Sequence, residues 1–155
     1  MSIARLFIKN FRLFKELDLD LKKENLLITG PNGSGKTSVL EAINLLISRK
    51  SIRTRDLKEC INDDSEGFSL GLEIKNKDEV LTIKAAKQTN KRITIETKVG
   101  NTRTTKGNLP IVQFIQAKDL RMIEGETEIR RDFLTRPCST WNILQKVTIT
   151  IISKL

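Results

Sequence analysis

The sequence contains no histidine and only two cysteines, and these absences narrow its chemistry. Without imidazole, Ser-His-Asp and Cys-His catalysis and histidine-based zinc sites are excluded. Cys60 and Cys138 lack metal-like spacing, so both are expected to be reduced thiols. No apolar run approaches the roughly 20 residues that a membrane helix needs, and the N-terminus does not resemble a secretion signal. A cytoplasmic location is therefore expected.

The composition indicates a globular protein with an excess of positive charge. Its 155 residues are 38% hydrophobic and 30% charged, which suits about one domain with a core of its own. Lys and Arg total 28 against 19 Asp and Glu, giving a net charge of +9. This excess favours nucleic acid as a partner, but solubility explains it equally well because the basic residues are spread along the chain.

Apolar patterns in the first half predict strands, a loop and a helix. Residues 3–9 and 16–21 have strand patterns, joined by a turn at 10–14 that has two phenylalanines to bury. Leu26–Thr29 is wholly apolar, as expected for a short strand covered on both faces. Apolar residues then recur at helical spacing after Lys36.

The second half is predicted to be rich in β-structure. Alternating residues at 68–74, 81–83 and 93–95 predict three strands, and residues 98–102 have the composition of a hairpin turn. Residues 111–115 predict a further strand, and a polar helix is expected from about 126 to 134. The run at 148–152 is β-branched, but the sequence shows no partner for it.

The segment Gly30–Thr37 (GPNGSGKT) fits the phosphate-binding loop pattern G-x-x-x-x-G-K-[ST]. Glycines let the backbone amides converge on phosphate oxygens, and the following helix directs its positive dipole end toward them. Lys36 would reach the β- and γ-phosphates, and the Thr37 hydroxyl would bind Mg²⁺. The predicted ATP-binding residues are Gly30, Pro31, Asn32, Gly33, Ser34, Gly35, Lys36, Thr37 and Ser38.

This motif is specific. With ordinary residue frequencies, a chain of this length matches by chance in under about one case in a hundred, and here the motif also precedes an amphipathic helix. The alternative is a purely structural role, as a glycine-rich turn that caps a helix. A GTPase would need Asn-Lys-x-Asp to read its base. Residues 76–79 (NKDE) place the acid one position early and are better read as a polar turn.

Several segments in order resemble the RecF family of bacterial DNA replication and repair ATPases. They are FIKNFRLFKELDLDL, LLITGPNGSGKTSVLEAINLLI, SRKSIRTRDLKECI and IVQFIQAKDLRMIEGETEIRRDFL, together about residues 1–135. The resemblance implies an α/β fold: a P-loop NTPase lobe of the ABC/SMC-head type, with a mixed sheet, a P-loop helix and an antiparallel β insertion. Residues 136–155 show no such similarity and are expected to be a divergent tail.

The chain also departs from this family. Ala117 stands where the family usually has Pro, and Thr135 where it has Asp. Family members are more than twice this length. Neither their ABC signature motif nor their apolar strand ending in Asp-Glu is found in this sequence. A truncated or frame-disrupted chain is expected, with a short paralogue as the alternative.

The resemblance implies ATP and Mg²⁺ as cofactors and assigns further candidate residues. Arg12 is a candidate nucleotide contact or an ordinary turn residue. Gln113 is a candidate Mg²⁺ contact or an ordinary polar strand residue. The candidate DNA contacts, for which a solvated basic surface is an equal alternative, are Arg53, Arg55, Lys91 and Arg92.

The resemblance further implies recombinational repair and the SOS response, with RecR and RecO as partners and ATP shared between two heads of a dimer that binds single-stranded or gapped DNA. A DNA-repair ATPase whose N-terminal lobe binds ATP is the first hypothesis. Two alternatives remain: a nucleotide-binding module without turnover, and a fragment that folds poorly because apolar surface stays uncovered.

Overall fold

The computed structural model describes residues 2–21, 26–76, 79–104, 109, 111–115 and 146–150. The chain divides into two compact units, 1–109 and 110–155. Within the described ranges, no helix is both long and apolar enough to cross a membrane.

The first unit contains a six-stranded antiparallel sheet with the strand order β2-β1-β3-β4-β5-β6. The strands are β1 (Ser2–Phe11), β2 (Phe14–Asp20), β3 (Gly67–Asn76), β4 (Glu79–Gln88), β5 (Thr94–Val99) and β6 (Thr102–Arg103). Between β2 and β3 the chain forms α1 (Lys36–Ser48) and a 3-10 helix (Leu57–Cys60). The strands predicted near 3–9, 16–21, 68–74, 81–83 and 93–95, and the hairpin turn near 98–102, are confirmed.

The core lies between one face of this sheet and α1, which packs against β1, β3 and β4. Leu6, Leu72 and Ile83 pair across β1, β3 and β4 and are buried on that face. Residues 38–47 of α1 are all buried, so the helix is covered by protein on all sides along this stretch. Phe11 adds an edge-to-face contact with Phe68, with ring centroids 5.1 Å apart.

The predicted buried strand at Leu26–Thr29 is wrong. These residues have no strand assignment, and Leu26 and Leu27 are 46% and 74% exposed. A strand covered on both faces needs neighbours that pair with its backbone amides and carbonyls. No strand in the described part of the chain pairs with this segment, so its apolar composition alone does not bury it.

The second unit contains a parallel pair, β7 (Ile111–Ile115) and β8 (Lys146–Thr150). The β-branched run near the C-terminus therefore does have a partner, in register Gln113 to Thr148. Parallel partners are distant in sequence, which is why the pairing escaped sequence analysis. The predicted helix at 126–134 and the predicted boundary after residue 135 lie outside the described residues, so both stay predictions.

Two glycines of β3 offer a matched test of the packing between β3 and β4. A Cβ at Gly67 would lie 2.4 Å from the Lys87 carbonyl oxygen, whereas a Cβ at Gly71 would have the Phe7 Cβ, at 3.6 Å, as its one described neighbour within 4 Å. Gly67→Ala should therefore lower the free energy of unfolding by about 1–3 kcal/mol. Gly71→Ala should leave it unchanged or raise it by about 0.5 kcal/mol. Urea denaturation of both variants measures this, and equal effects would contradict the structure.

Candidate phosphate-binding site

The loop before α1 has the backbone shape that the motif predicts. Gly33 and Gly35 have φ angles of 84° and 93°, in the left-handed region that residues with a Cβ rarely adopt. Gly35 is the N-cap of α1 and makes no side-chain capping bond. Its carbonyl accepts hydrogen bonds from the Ser38 and Val39 amides at 2.8 and 3.0 Å, which start the helix.

This conformation leaves a group of amides without partners. In the described part of the chain, no hydrogen bond is donated by the amides of Gly33, Gly35, Lys36 and Thr37, although the neighbouring Ser34 amide reaches the Pro31 carbonyl at 3.3 Å. Amides at a helix N-terminus have no intrahelical acceptor, and the helix dipole adds positive potential there. The loop therefore has the donors and the potential of an anion-binding site.

Lys36 supplies a full positive charge at the same place. Its Nζ donates hydrogen bonds to the carbonyl oxygens of Gly30 and Pro31, both at 2.7 Å. The ammonium group thus folds back over the loop, and phosphate oxygens are stronger acceptors than these neutral carbonyls. The Lys36 ammonium could therefore exchange its bonds to the two carbonyls for bonds to a polyphosphate with little loss of free energy.

The flanking predicted residues divide by exposure. Pro31, Asn32, Ser34 and Thr37 are exposed, so the Thr37 hydroxyl is accessible to a metal ion. Ser38 is 2% exposed and is turned into the protein, where its side chain is not accessible to a ligand in this conformation.

The loop packs against the turn between β1 and β2. A Cβ at Gly35 would lie 2.5 Å from the Phe14 Cζ and 3.1 Å from a Leu13 methyl. The backbone at Gly35 therefore rests directly on these two side chains. This contact determines where the loop lies relative to the β1–β2 turn.

Arg12, the candidate nucleotide contact, is held by an acidic residue of α1. Its φ is 54°. Its Nε and Nη2 donate to the two carboxylate oxygens of Glu41, at 3.0 and 2.8 Å, and its Nη1 donates to the Glu59 carbonyl at 2.7 Å. All three bonds go to protein groups. Contact with a nucleotide would require at least some of them to open, and it stays a prediction.

Glu41 is the centre of a buried polar cluster. Its side chain is 0% exposed, against 19% for Arg12, and it also accepts a hydrogen bond from the Ser51 hydroxyl. Arg53 lies 3.9 Å away. Burial acts to raise the pKa of Glu41, but the hydrogen bonds from Arg12 and Ser51 outweigh it, so the pKa lies below its ordinary value. The hydrogen bond with Glu41 likewise raises the pKa of Arg12.

Cys60 completes this cluster, with its Sγ 3.8 Å from a Glu41 carboxylate oxygen. Burial raises the pKa of the thiol to about 11, although the nearby Arg12 acts in the opposite direction. A thiol that stays protonated at neutral pH is a poor nucleophile and metal ligand. Cys60 forms no disulfide among the described residues, which agrees with the expectation of a reduced thiol at this position.

The remaining candidates are placed elsewhere. Arg53 and Arg55 are exposed on the segment between α1 and the 3-10 helix, and Lys91 and Arg92 are exposed on the turn between β4 and β5. Gln113 lies in β7 of the second unit. The structure therefore brings the Gly30–Thr37 residues together as one candidate site, and their ATP, Mg²⁺ and DNA roles stay predictions.

Sequence reasoning missed Glu41 as a structural centre. The signal was available, because one acidic residue stands among apolar residues in the middle of a helix that the pattern predicts to be buried. Such a carboxylate needs a cation, and Arg12, in a turn that also had a phenylalanine to bury, was a reasonable partner.

Comparison with known proteins agrees with this geometry. A family model described as an AAA domain matches residues 5–147, and the chain belongs to this AAA domain family. It is also similar to DNA replication and repair proteins named RecF. The identity is 31% over 140 residues to the protein of Salmonella arizonae and 32% over 139 residues to that of Natranaerobius thermophilus.

These comparisons confirm the predicted resemblance to RecF, with a difference in length. The two alignments cover 89% and 86% of this chain, but the chain spans only 39% and 36% of those relatives. Among solved structures, the recombination mediator RecF bound to ATPγS, described in the RecFOR pathway, superposes with a TM-score of 0.71 at 26% identity, covering 89% of this chain and 38% of that one.

The fold class is supported by a more distant structure as well. The SMC head domain of Thermotoga maritima has a TM-score of 0.57 at 15% identity, covering 81% of this chain and 52% of that one. Both structural neighbours confirm the predicted ABC/SMC-head type of lobe.

Replacing Glu41 tests the buried cluster. Glu41→Gln keeps the size of the side chain but leaves the Arg12 charge unpaired, so the free energy of unfolding at pH 7 should fall by about 2–3 kcal/mol. Folding lowers the pKa of Glu41 below its ordinary value of 4.5. The stability that the ionised Glu41 contributes is therefore complete above pH 4.5, and it is lost as the pH falls through the pKa of the folded state. The difference between the wild type and Glu41→Gln should therefore shrink below about pH 4.5.

Urea denaturation between pH 3 and pH 7 measures this difference. Glu59→Gln is the matched control, since the Glu59 side chain is exposed and should change stability by less than about 0.5 kcal/mol. A Glu41→Gln variant as stable as Glu59→Gln at pH 7 would show that the cluster does not stabilise the fold.

Proposed function

We propose that the loop at Gly30–Thr37 binds the polyphosphate of ATP together with Mg²⁺. The observation that carries this proposal is the group of amides at the start of α1 that have no acceptor among the described residues, with the Lys36 ammonium beside them. Amides without acceptors at a protein surface are satisfied by water or by an anionic ligand. A triphosphate satisfies several at once.

Each residue of the loop has a defined task in this proposal. The amides of Gly33, Gly35, Lys36 and Thr37 hold phosphate oxygens, and Lys36 neutralises their charge. The exposed Thr37 hydroxyl is available to Mg²⁺, as hard oxygen ligands suit that ion. Bound ATP would supply the phosphoanhydride bond whose hydrolysis drives conformational change in NTPases of this type.

We further propose a role in DNA replication and recombinational repair. The relatives are named DNA replication and repair protein RecF, and the structural neighbour is a recombination mediator of the RecFOR pathway. For this chain we propose ATP-dependent binding to single-stranded or gapped DNA, action with RecR and RecO in the cytoplasm, and a part in the SOS response. The basic excess of +9 supports a polyanionic partner.

Lys36→Ala should abolish nucleotide binding without unfolding the protein, because within the described ranges the Lys36 ammonium bonds to nothing but two loop carbonyls. Thermal unfolding with and without Mg-ATP measures this. Saturation at 100 times Kd stabilises the bound form by about 2.7 kcal/mol, so the wild-type midpoint should rise by several degrees. Lys36→Ala should show no shift.

Lys58→Ala is the control, because Lys58 is exposed on the 3-10 helix and should keep the full shift. Adding EDTA should reduce the wild-type shift if Thr37 binds the metal. A wild-type transition that is cooperative but insensitive to Mg-ATP would refute nucleotide binding. The absence of any cooperative transition would favour the alternative of a fragment that folds poorly.

A further inference from the structure

The first strand in the order of the six-stranded sheet, β2, has one long edge open. Among the described strands, β2 pairs with β1 and with no other. It runs from Phe14 to Asp20 without a proline or a glycine, and its pairing with β1 has no register shift. Proline, a bulge or very short length commonly keeps a further strand from adding to such an edge. None of these three features protects β2.

The hydrogen-bonding phase of β2 determines which main-chain groups face the open edge. The Leu21 amide donates to the Ala4 carbonyl at 2.7 Å, so these residues form a hydrogen-bonded pair. In an antiparallel ladder, such pairs alternate with pairs that exchange no hydrogen bonds. Along the register of β1 and β2, this alternation directs the main-chain groups of Leu17 toward β1 and those of Glu16 and Asp18 away from it.

The side chains along the open edge differ between the two faces of the sheet. Glu16, Asp18 and Asp20 lie on one face, and all three are exposed. Leu17 and Leu19 lie on the other face, opposite buried residues of β1, and are half-buried. A strand added to this edge would therefore meet a row of carboxylates on one face and incompletely covered leucines on the other.

The carboxylate row is ordered and negatively charged. Arg5 of β1 donates through its Nε and Nη2 to the two carboxylate oxygens of Asp18, at 2.9 and 2.5 Å. These hydrogen bonds lower the pKa of Asp18. Glu16 forms no ion pair among the described residues. The basic residues of β1 lie one strand spacing, about 4.8 Å, farther from the open edge than the carboxylates do.

A second copy of this chain is a poor partner for the open edge. Antiparallel pairing of two β2 strands about Asp18 would place Asp18 opposite its copy and Glu16 opposite Asp20. Like charges directly opposite each other destabilise a strand pair. The row instead favours a strand with positive side chains. Because the chain has a net charge of +9, overall charge would not attract such a strand, so the attraction is local to this edge.

We propose that the open edge of β2 binds an extended, basic segment of a partner protein as an additional antiparallel strand. The segment forms main-chain hydrogen bonds with Glu16 and Asp18, places lysine or arginine beside the carboxylates, and covers the leucines with apolar side chains. Its basic and apolar residues therefore alternate. This surface uses no residue of the Gly30–Thr37 loop and does not depend on the proposed nucleotide or nucleic-acid binding.

Two N-methylated peptides test strand addition to the wild-type protein. The parent probe is a labelled peptide of about six residues in which lysine alternates with valine. In the proposed pairing, the lysines lie opposite the carboxylates in pairs that exchange hydrogen bonds. N-methylation of the lysine amides should therefore weaken binding at least ten-fold. N-methylation of the valine amides, which face away from β2, should leave the affinity nearly unchanged. Fluorescence anisotropy measures all three affinities.

The two N-methylated peptides are matched in charge and in side chains. Equal affinities would show that side-chain attraction alone holds the peptide and would overturn strand addition. Failure of the parent peptide to bind cooperatively folded protein would overturn the proposal as well.

Replacements at Glu16 separate the main-chain contribution from the charge. Glu16→Pro removes the outward amide without taking a hydrogen bond from the ladder with β1, and it should weaken binding of the parent peptide at least ten-fold. Glu16→Gln keeps the amide and should weaken binding about two- to five-fold. If Glu16→Pro does not fold cooperatively, the N-methylated peptides decide the question on the wild type.

Glu79→Gln is the matched control for charge, because it removes the same charge at an exposed position of β4. It should bind the parent peptide as the wild type does. Equal losses in Glu16→Gln and Glu79→Gln would show that net charge alone matters and would contradict a local site.

This proposal and the proposed nucleotide binding can fail separately. Lys36→Ala should bind the parent peptide with wild-type affinity. Wild-type protein that is stabilised by Mg-ATP but does not bind the peptide would remove this surface alone. Wild-type protein that binds the peptide but does not respond to Mg-ATP would leave this surface standing and remove the nucleotide site.

Discussion

The contact between the Gly35 backbone and the Phe14 ring is the constraint on which the candidate site depends. No side chain fits at Gly35, because an added Cβ would overlap that ring. The left-handed conformation there begins α1 abruptly, and the amides of Lys36 and Thr37 donate to no acceptor in the described part of the chain. The shape of the candidate anion site is therefore a consequence of how a tight turn between two strands meets the start of a buried helix.

A second connection joins the same elements deeper in the protein. Glu41, five residues after Lys36, binds Arg12 of the β1–β2 turn and Ser51 of the segment after α1. Because this carboxylate is fully buried, its partners cannot be replaced by water without cost. The phosphate loop, the β1–β2 turn and the segment carrying Arg53 are thus linked through one side chain.

Local patterns in the sequence were sufficient for most of the first unit. Alternation placed β1 to β5, and the spacing of Gly30, Gly35 and Lys36 marked the candidate anion site, because each of these features is short-range. Failures arose where the outcome depends on distant residues. Leu26–Thr29 looked buried because it is apolar, but burial requires paired neighbours. The β8 strand looked solitary because its parallel partner lies far upstream in β7.

Side-chain chemistry was harder to foresee than the backbone. Lys87 and Lys91 look alike in the sequence, yet one ammonium is buried against carbonyl oxygens and the other is exposed. Arg12 was a candidate nucleotide contact by resemblance alone, and its pairing with Glu41 was not foreseen. Such differences depend on the register of neighbouring strands and on helix packing, which a single sequence does not give.

Calorimetric titration of the folded chain with Mg-ATP, compared between the wild type and Gly35→Ala, tests nucleotide binding at this loop most directly. We predict one saturable site in the wild type and at least a ten-fold weaker affinity in Gly35→Ala. Gly100→Ala should retain the site, because Gly100 also has a positive φ of 56° but an added Cβ there would meet no described atom within 4 Å. The central claim would be contradicted if cooperatively folded wild-type protein gave no heat of binding at temperatures both above and below room temperature.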